Sequence, residues 1–158
     1  MVPREIAAGR KGSNMIGFIL TGHGHFSNGL KSALDMIAGP QQDFEIVPFE
    51  EGAAGAYGDN LREAVKEMRA KTDGVLVFCD LMGGTPFNQS MMITAEQDNI
   101  SVVAGTNLPM LIDIVMSRTP DSTINDLVSE AVEVGKEGVC HMALDAGSDE
   151  DDDEEEGI

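Results

Sequence analysis

The sequence predicts an α/β protein built on a mostly parallel sheet with helices on both faces. Two observations carry this. Short apolar runs alternate with stretches of helical spacing, and turn residues mark each change. The run 74–79 is apolar throughout rather than alternating, which is how a strand buried on both faces reads. The chain has 158 residues, the length of one domain with a substantial core. Apolar residues make up 42% and aromatics 4%, which suits a globular chain rather than a disordered one.

The elements follow in order. Residues 15–20 (MIGFIL) are an apolar run ending in Thr-Gly, a buried strand. Residues 26–38 carry Leu30, Ala33, Leu34, Ile37 and Ala38 at helical spacing, and Gly39-Pro40 stops the helix. Residues 44–47 form a second strand. Residues 57–70 present Leu61, Ala64, Val65 and Met68 on one face, with Arg62, Glu63, Lys66 and Glu67 on the wet side. Residues 74–79 (GVLVFC) are a third strand. After a glycine-rich turn, a helix runs from about 86 to 95. Residues 100–104 are a fourth strand, and 107–118 a helix holding Leu108, Leu111, Ile112 and Val115. Asp121 or Ser122 caps a last helix with Leu127, Val128, Ala131, Val132 and Val134. Residues 139–144 (VCHMAL) read as a last short strand.

The two ends differ in composition from this pattern. Residues 1–14 have no period, no apolar stripe and no apolar core of a signal peptide. They read as an added leader, with Met15 the natural start. Residues 145–158 hold nine acids and no base, and this tail reads as disordered. The domain is therefore placed at 15–144. The whole chain has 28 acids against 10 bases, a net charge of −18. Without tail and leader the balance is 18 against 7, so the domain itself is acidic. That argues against a nucleic-acid partner, since little here could neutralise a phosphate backbone. No apolar run is long enough to span a bilayer. Cys79 and Cys140 form no CxxC pair, which suits a reduced cytoplasmic protein without a metal site.

In open parallel sheets, ligands bind beyond the carboxyl ends of the strands. The first strand end gives Thr21-Gly22-His23-Gly24-His25. Glycines flanking His23 leave room for a substrate and permit positive φ. A neutral imidazole is a good nucleophile toward phosphorus near neutral pH. It needs a partner on its other nitrogen, and Asp80, at the third strand end, is the natural one. His25, beside Phe26 near a helix start, reads as a cap or surface residue. His141 reads as a structural or interface histidine. Gly83-Gly84-Thr85-Pro86 reads as an anion nest, with Thr85 as N-cap and Pro86 in the first helical position. A phosphoryl group on His23 would be held there by backbone N–H groups and the helix N-terminus. No Walker A loop is present, which argues against ATP. Gly22, Gly24, Met82 and Asn107 are candidates for the site rim or for partner docking. Asn107 reads first as a helix cap, and Met82 as an exposed contact.

These motifs resemble the IIA domain of the mannose–fructose–sorbose family of the bacterial sugar phosphotransferase system. The likeness runs from about residue 15 to 144. It rests on Gly22-His23-Gly24, on the block from Asp80 through Gly83-Gly84-Thr85-Pro86-Phe87-Asn88, and on Ala104-Gly105-x-Asn107-Leu108-Pro109-Met110-Leu111. The segment from Glu130 to Val139 adds to it. The resemblance implies a three-layer α/β/α sandwich with a four-stranded parallel sheet. It also implies a homodimer in which a C-terminal strand, here 139–144, crosses to the partner. It further implies that His23 takes a phosphoryl group from phospho-HPr and passes it to a histidine of the IIB component. Asp80 would orient the ring, and Gly83, Gly84 and Thr85 would hold the phosphoryl oxygens. No cofactor is expected beyond the phosphoryl group itself. The membrane IIC and IID components would be met only indirectly.

Two departures bear on partner contacts. Thr21-Gly22-His23-Gly24 stands where the family commonly has Gly-Thr-His-Gly. Leu81-Met82 follows the Asp where a pair such as Thr-Trp is often found. The fold also serves a phosphotransfer subunit of dihydroxyacetone kinase. Two rival readings are a regulatory module read by the phosphorylation of His23, and a flavodoxin-like binder of a phosphate-bearing ligand.

Overall fold

A computed structural model describes residues 15–145. The leader 1–14 and all of the acidic tail after Asp145 lie outside the described residues. Four strands form one parallel sheet: β1 (Ile16–His23), β2 (Phe44–Phe49), β3 (Gly74–Cys79) and β4 (Ile100–Val103). Five helices connect and cover it: α1 (Phe26–Ala38), α2 (Ala54–Lys71), α3 (Thr85–Thr94), α4 (Leu108–Ser117) and α5 (Ile124–Glu137). The strand order is β2-β1-β3-β4. The chain leaves β1 toward β2, then returns past β1 to reach β3. The point where direction reverses therefore lies between β1 and β3, which is where a ligand crevice opens in such sheets.

The alternation of side chains along each strand divides the core in two. Phe18, Leu20, Leu76 and Phe78 point to the face covered by α1, α4 and α5, with Leu34, Leu111, Ile114 and Leu127. Ile19, Val75, Val77 and Cys79 point to the other face, under Tyr57, Leu61, Val65 and Met68 of α2 and Ile93 of α3. Phe18 is fully buried and meets the Phe44 and Phe78 rings edge to face at 6.1 and 5.6 Å. All six residues of β3 are buried, which explains why its sequence is continuously apolar. Gly17 lets α2 approach the sheet, since a Cβ there would stand 2.5 Å from Met68 Cγ.

Several boundaries differ from the sequence expectation. β1 continues through Thr21 and Gly22 to His23. The polar Thr21 is tolerated in the interior because its hydroxyl donates to the Val47 carbonyl at 2.6 Å. β2 likewise extends through Pro48 to Phe49, and as an edge strand it accepts the proline. The cap of α5 is Thr123, whose side chain accepts from the Asp126 amide, rather than Asp121 or Ser122. Ser122 Oγ is occupied in the preceding turn, where it accepts from the Thr119 amide at 2.9 Å. Residues 139–144 form no strand among the described residues: they follow α5 as exposed backbone without secondary structure.

Candidate functional site

His23 is the last residue of β1, and Asp80 directly follows β3. Because β1 and β3 are adjacent and parallel, their carboxyl ends meet, and the two side chains converge. His23 Nδ1 lies 2.7 Å from Asp80 Oδ2, and the same oxygen accepts the His23 backbone N–H at 2.9 Å. Asp80 Oδ1 accepts the Leu81 N–H at 2.9 Å. Burial pushes the Asp80 carboxyl up. The hydrogen bonds from His23 and from the Leu81 amide outweigh it and hold the group below its usual range. Asp80 is therefore a carboxylate near neutral pH. Facing a carboxylate, Nδ1 carries the proton, so the lone pair of the neutral ring resides on Nε2. The imidazole stays accessible, with 45% of the side chain exposed.

Glycines make this approach feasible. A Cβ on Gly22 would stand 2.6 Å from Phe26 Cδ1 and 3.0 Å from Asp80 Cβ. Gly22 is buried, so it lies beneath the pair rather than on the rim. A Cβ on Gly84 would stand 2.7 Å from His23 Cε1 and 3.4 Å from Nε2. The start of α3 thus adjoins the Nε2 side of the ring. Gly83 has φ 88° and Gly24 φ 55°, both in the left-handed region that favours glycine. Gly24 turns the chain out of β1, and its N–H donates to the Phe49 carbonyl at 2.8 Å.

The cap of α3 is Gly84, not Thr85. Gly84 has the extended φ −79° and ψ 172° of a cap, and Thr85 is the first helical residue, with Pro86 after it. Thr85 is exposed in the first turn of that helix. The N-terminal amides of α3 have no acceptor within their own helix, and the partial positive charge of the dipole sits there. Asn88 Nδ2 braces the turn by donating to the Gly83 carbonyl at 3.2 Å.

The remaining candidates separate. Met82 is 76% exposed and Leu81 49%, an apolar lip in the loop that carries Asp80. Asn107 caps α4 through Oδ1 to the Met110 amide and ties α4 to α5 through Nδ2 to the Gly135 carbonyl at 2.8 Å. Those bonds give it a structural role. His25 sits at the N-cap position of α1 without a side-chain cap bond. His141 lies in the exposed segment after α5. Cys79 is a buried thiol pushed up to about 11 by burial, with Ser90 beside it at 3.5 Å, and Cys140 is an exposed free thiol.

Two neighbours of the site escaped the sequence reading. Phe49 stands edge to face with His23, ring centroids 5.5 Å apart at 77°. Tyr57 backs Phe49 at 4.8 Å, and its hydroxyl bonds Thr21 Oγ1. The strand register supplies the missing signal, since it pairs His23 with Phe49. Among the described residues, no group of three or more His, Cys, Asp or Glu could hold a metal ion, and no helix is long and apolar enough to cross a membrane.

Comparison with known proteins places the chain in a family. The profile described as "PTS system fructose IIA component" matches residues 17–132, which include His23, Asp80 and the glycine turn. The chain is 34% identical over 127 residues to the PTS system mannose-specific EIIAB component of Escherichia coli K12. That match covers 78% of this chain but only 38% of the relative's length. It is 31% identical over 121 residues to the PTS system sorbose-specific EIIA component of Lacticaseibacillus casei, covering 75% of this chain and 85% of that one. Among solved structures, a phosphotransferase system component EIIA from Streptococcus agalactiae superimposes with TM-score 0.72 at 35% identity. It covers 80% of this chain and 97% of that one. With the profile matching residues 17–132 and relatives at 34% and 31% identity, the chain belongs to the mannose–fructose–sorbose IIA family of the phosphotransferase system.

Proposed function

We propose that this protein is a phosphocarrier that accepts a phosphoryl group from phospho-HPr on Nε2 of His23 and passes it to a histidine of a IIB component. One observation carries the reading most directly. Asp80 Oδ2 holds Nδ1 at 2.7 Å, which leaves Nε2 as the nucleophilic nitrogen of an exposed ring. In the transfer, the Nε2 lone pair attacks phosphorus and a new P–N bond forms. The P–N bond of the donor breaks, and its electron pair returns to the donor imidazole. The His23 ring, now bearing phosphorus on Nε2 and a proton on Nδ1, is cationic, and the Asp80 carboxylate offsets that charge. The amides around Gly83, Gly84 and Thr85 and the start of α3 would stabilise the phosphoryl oxygens. Transfer between two histidines is near thermoneutral, so positioning and charge stabilisation suffice.

The exposed Leu81-Met82 lip beside the ring is a fitting contact for either partner, and an acidic domain favours a basic partner face. A homodimer is supported by the segment after α5. Val139, Met142 and Leu144 are 79%, 84% and 100% exposed in the single chain, apolar surface suited to a partner's sheet edge. The reading places the protein in the cytoplasm.

The test is intact-mass and phosphopeptide analysis after incubation with phosphoenolpyruvate, enzyme I and HPr. One acid-labile phosphoryl group that requires HPr and disappears in His23→Ala is the expected result. Phosphate that persists in His23→Ala removes His23 from the role. Onward transfer to a IIB protein then separates a sugar-uptake carrier from a regulatory module or a dihydroxyacetone kinase subunit.

A further inference from the structure

Asp80 fixes the His23 ring at one edge only. Its Oδ2 takes both the backbone N–H and Nδ1 of the same residue, so the contact acts as a pivot. An imidazole that is 45% exposed has room to turn about that pivot unless a second surface bounds its plane. Phe49 supplies such a surface. It ends β2 directly opposite His23 in the register, and its ring meets the imidazole at 77° and 5.5 Å. Phe49 is itself held in place. Its carbonyl accepts the Gly24 N–H at 2.8 Å, and its ring leans on Tyr57 at 4.8 Å. Tyr57 is 3% exposed, and its hydroxyl joins Thr21 Oγ1, which donates to Val47 O at 2.6 Å. A hydrogen-bonded, buried phenol thus backs a half-buried phenyl ring, which in turn bounds the exposed imidazole.

We propose that Phe49, backed by Tyr57, is a positioning residue that holds the His23 imidazole in the single orientation in which Nδ1 meets Asp80 and Nε2 faces the incoming phosphorus. An edge-to-face ring contact biases a side-chain orientation by about tenfold at most. Loss of a tenfold bias takes the aligned fraction of the ring from about nine-tenths to about one-half, so the rate of in-line attack falls about twofold. The kinetic consequence rests on His23 being the phosphoryl acceptor. The orientation of the ring does not.

The experiment uses the full chain with Phe49→Leu, Phe49→Ala and Phe49→Tyr. Long-range 1H–15N correlations of the His23 ring are recorded without phosphate at about pH 9, where an imidazole is neutral. The unaltered protein and Phe49→Tyr should show the Nδ1–H tautomer in one orientation, and Phe49→Leu and Phe49→Ala an averaged ring. Phosphoryl transfer from HPr should fall about twofold in the Leu and Ala variants with KM for HPr unchanged, and Tyr should restore it. Amide spectra confirm the fold, and Phe49→Leu serves alone if Phe49→Ala does not fold. A ring pattern unchanged in Phe49→Leu, or a transfer rate equal to that of the unaltered chain, overturns the inference and leaves Phe49 as core filler. If the unaltered chain takes no phosphate, the proposed function fails, while the ring spectra still decide whether Phe49 orients His23.

Discussion

Where the strands begin, Arg118 is buried against the sheet. Its Nη1 donates to the Ile16 carbonyl at 2.8 Å and its Nη2 to the Gln42 carbonyl at 2.7 Å. The guanidinium lies 4.4 Å above the Phe18 ring. Burial lowers its basicity, and the Asp43 carboxylate partly restores it. Where the strands end, His23 and Asp80 also form a bonded pair, but the ring stands open to solvent. At the first end the cation stitches α4 to β1 and to the start of β2, and its donors point into the protein. At the second, Nδ1 is locked on Asp80 while nearly half of the ring's side chain is exposed. The same sheet thus uses buried polar contacts for cohesion at one end and for presentation at the other. Substitutions at the two ends should therefore move different observables.

The largest effect belongs to Asp80→Asn. The amide lacks the charge that offsets a phosphorylated ring, and its NH2 group can donate to Nδ1, which moves the ring proton to Nε2 and removes the attacking pair. Transfer from HPr, followed by rapid quench, should fall on the order of 10²-fold or more. The same variant has a pH signature. A carboxyl held below its unfolded value adds stability at pH above that value, about 3.9 for Asp, and loses it as pH falls through the lower folded value. Denaturation midpoints of the unaltered chain and Asp80→Asn should differ at pH 6 and converge below about pH 4. Gly84→Ala comes next. Alanine tolerates φ −79°, so the backbone is not strained, yet its Cβ would stand 2.7 Å from His23 Cε1. Transfer should drop about tenfold to 10²-fold with the denaturation midpoint nearly unchanged. An equal loss of stability would mean that the glycine serves the turn rather than the ring. Arg118→Met inverts the pattern. Leaving two carbonyls without their charged donor should cost about 3 kcal/mol in urea unfolding. The folded fraction should still transfer phosphate within twofold of the unaltered rate.

Most of the fold is legible in the sequence where burial and periodicity agree. α1 and β3 fall on the predicted residues because Gly39-Pro40 ends one and an unbroken apolar run defines the other. Errors gather where tertiary contacts override local signals. Thr21-Gly22 reads as the end of the first strand, yet the Val47 carbonyl and the Tyr57 hydroxyl satisfy Thr21 inside the sheet and the strand runs on to His23. Thr85 and Ser122 are good caps by type, but each lies one residue from the position whose backbone takes the cap geometry. The pairing of His23 with Asp80 was readable because both stand at the carboxyl ends of strands that proved to be neighbours. Phe49 and Tyr57 were not, because their roles depend on which strand lies on the other side of β1. Residues 139–144 have the pattern of a strand, but among the described residues no strand pairs with them.

The role of His23 is tested most directly by locating the phosphorus within the phosphorylated full chain by 31P and long-range 1H–15N spectroscopy. A single phosphoryl group is expected on Nε2 of His23, with Nδ1 still carrying its proton toward Asp80. Phosphorus on Nδ1, or on His25 or His141, would contradict it.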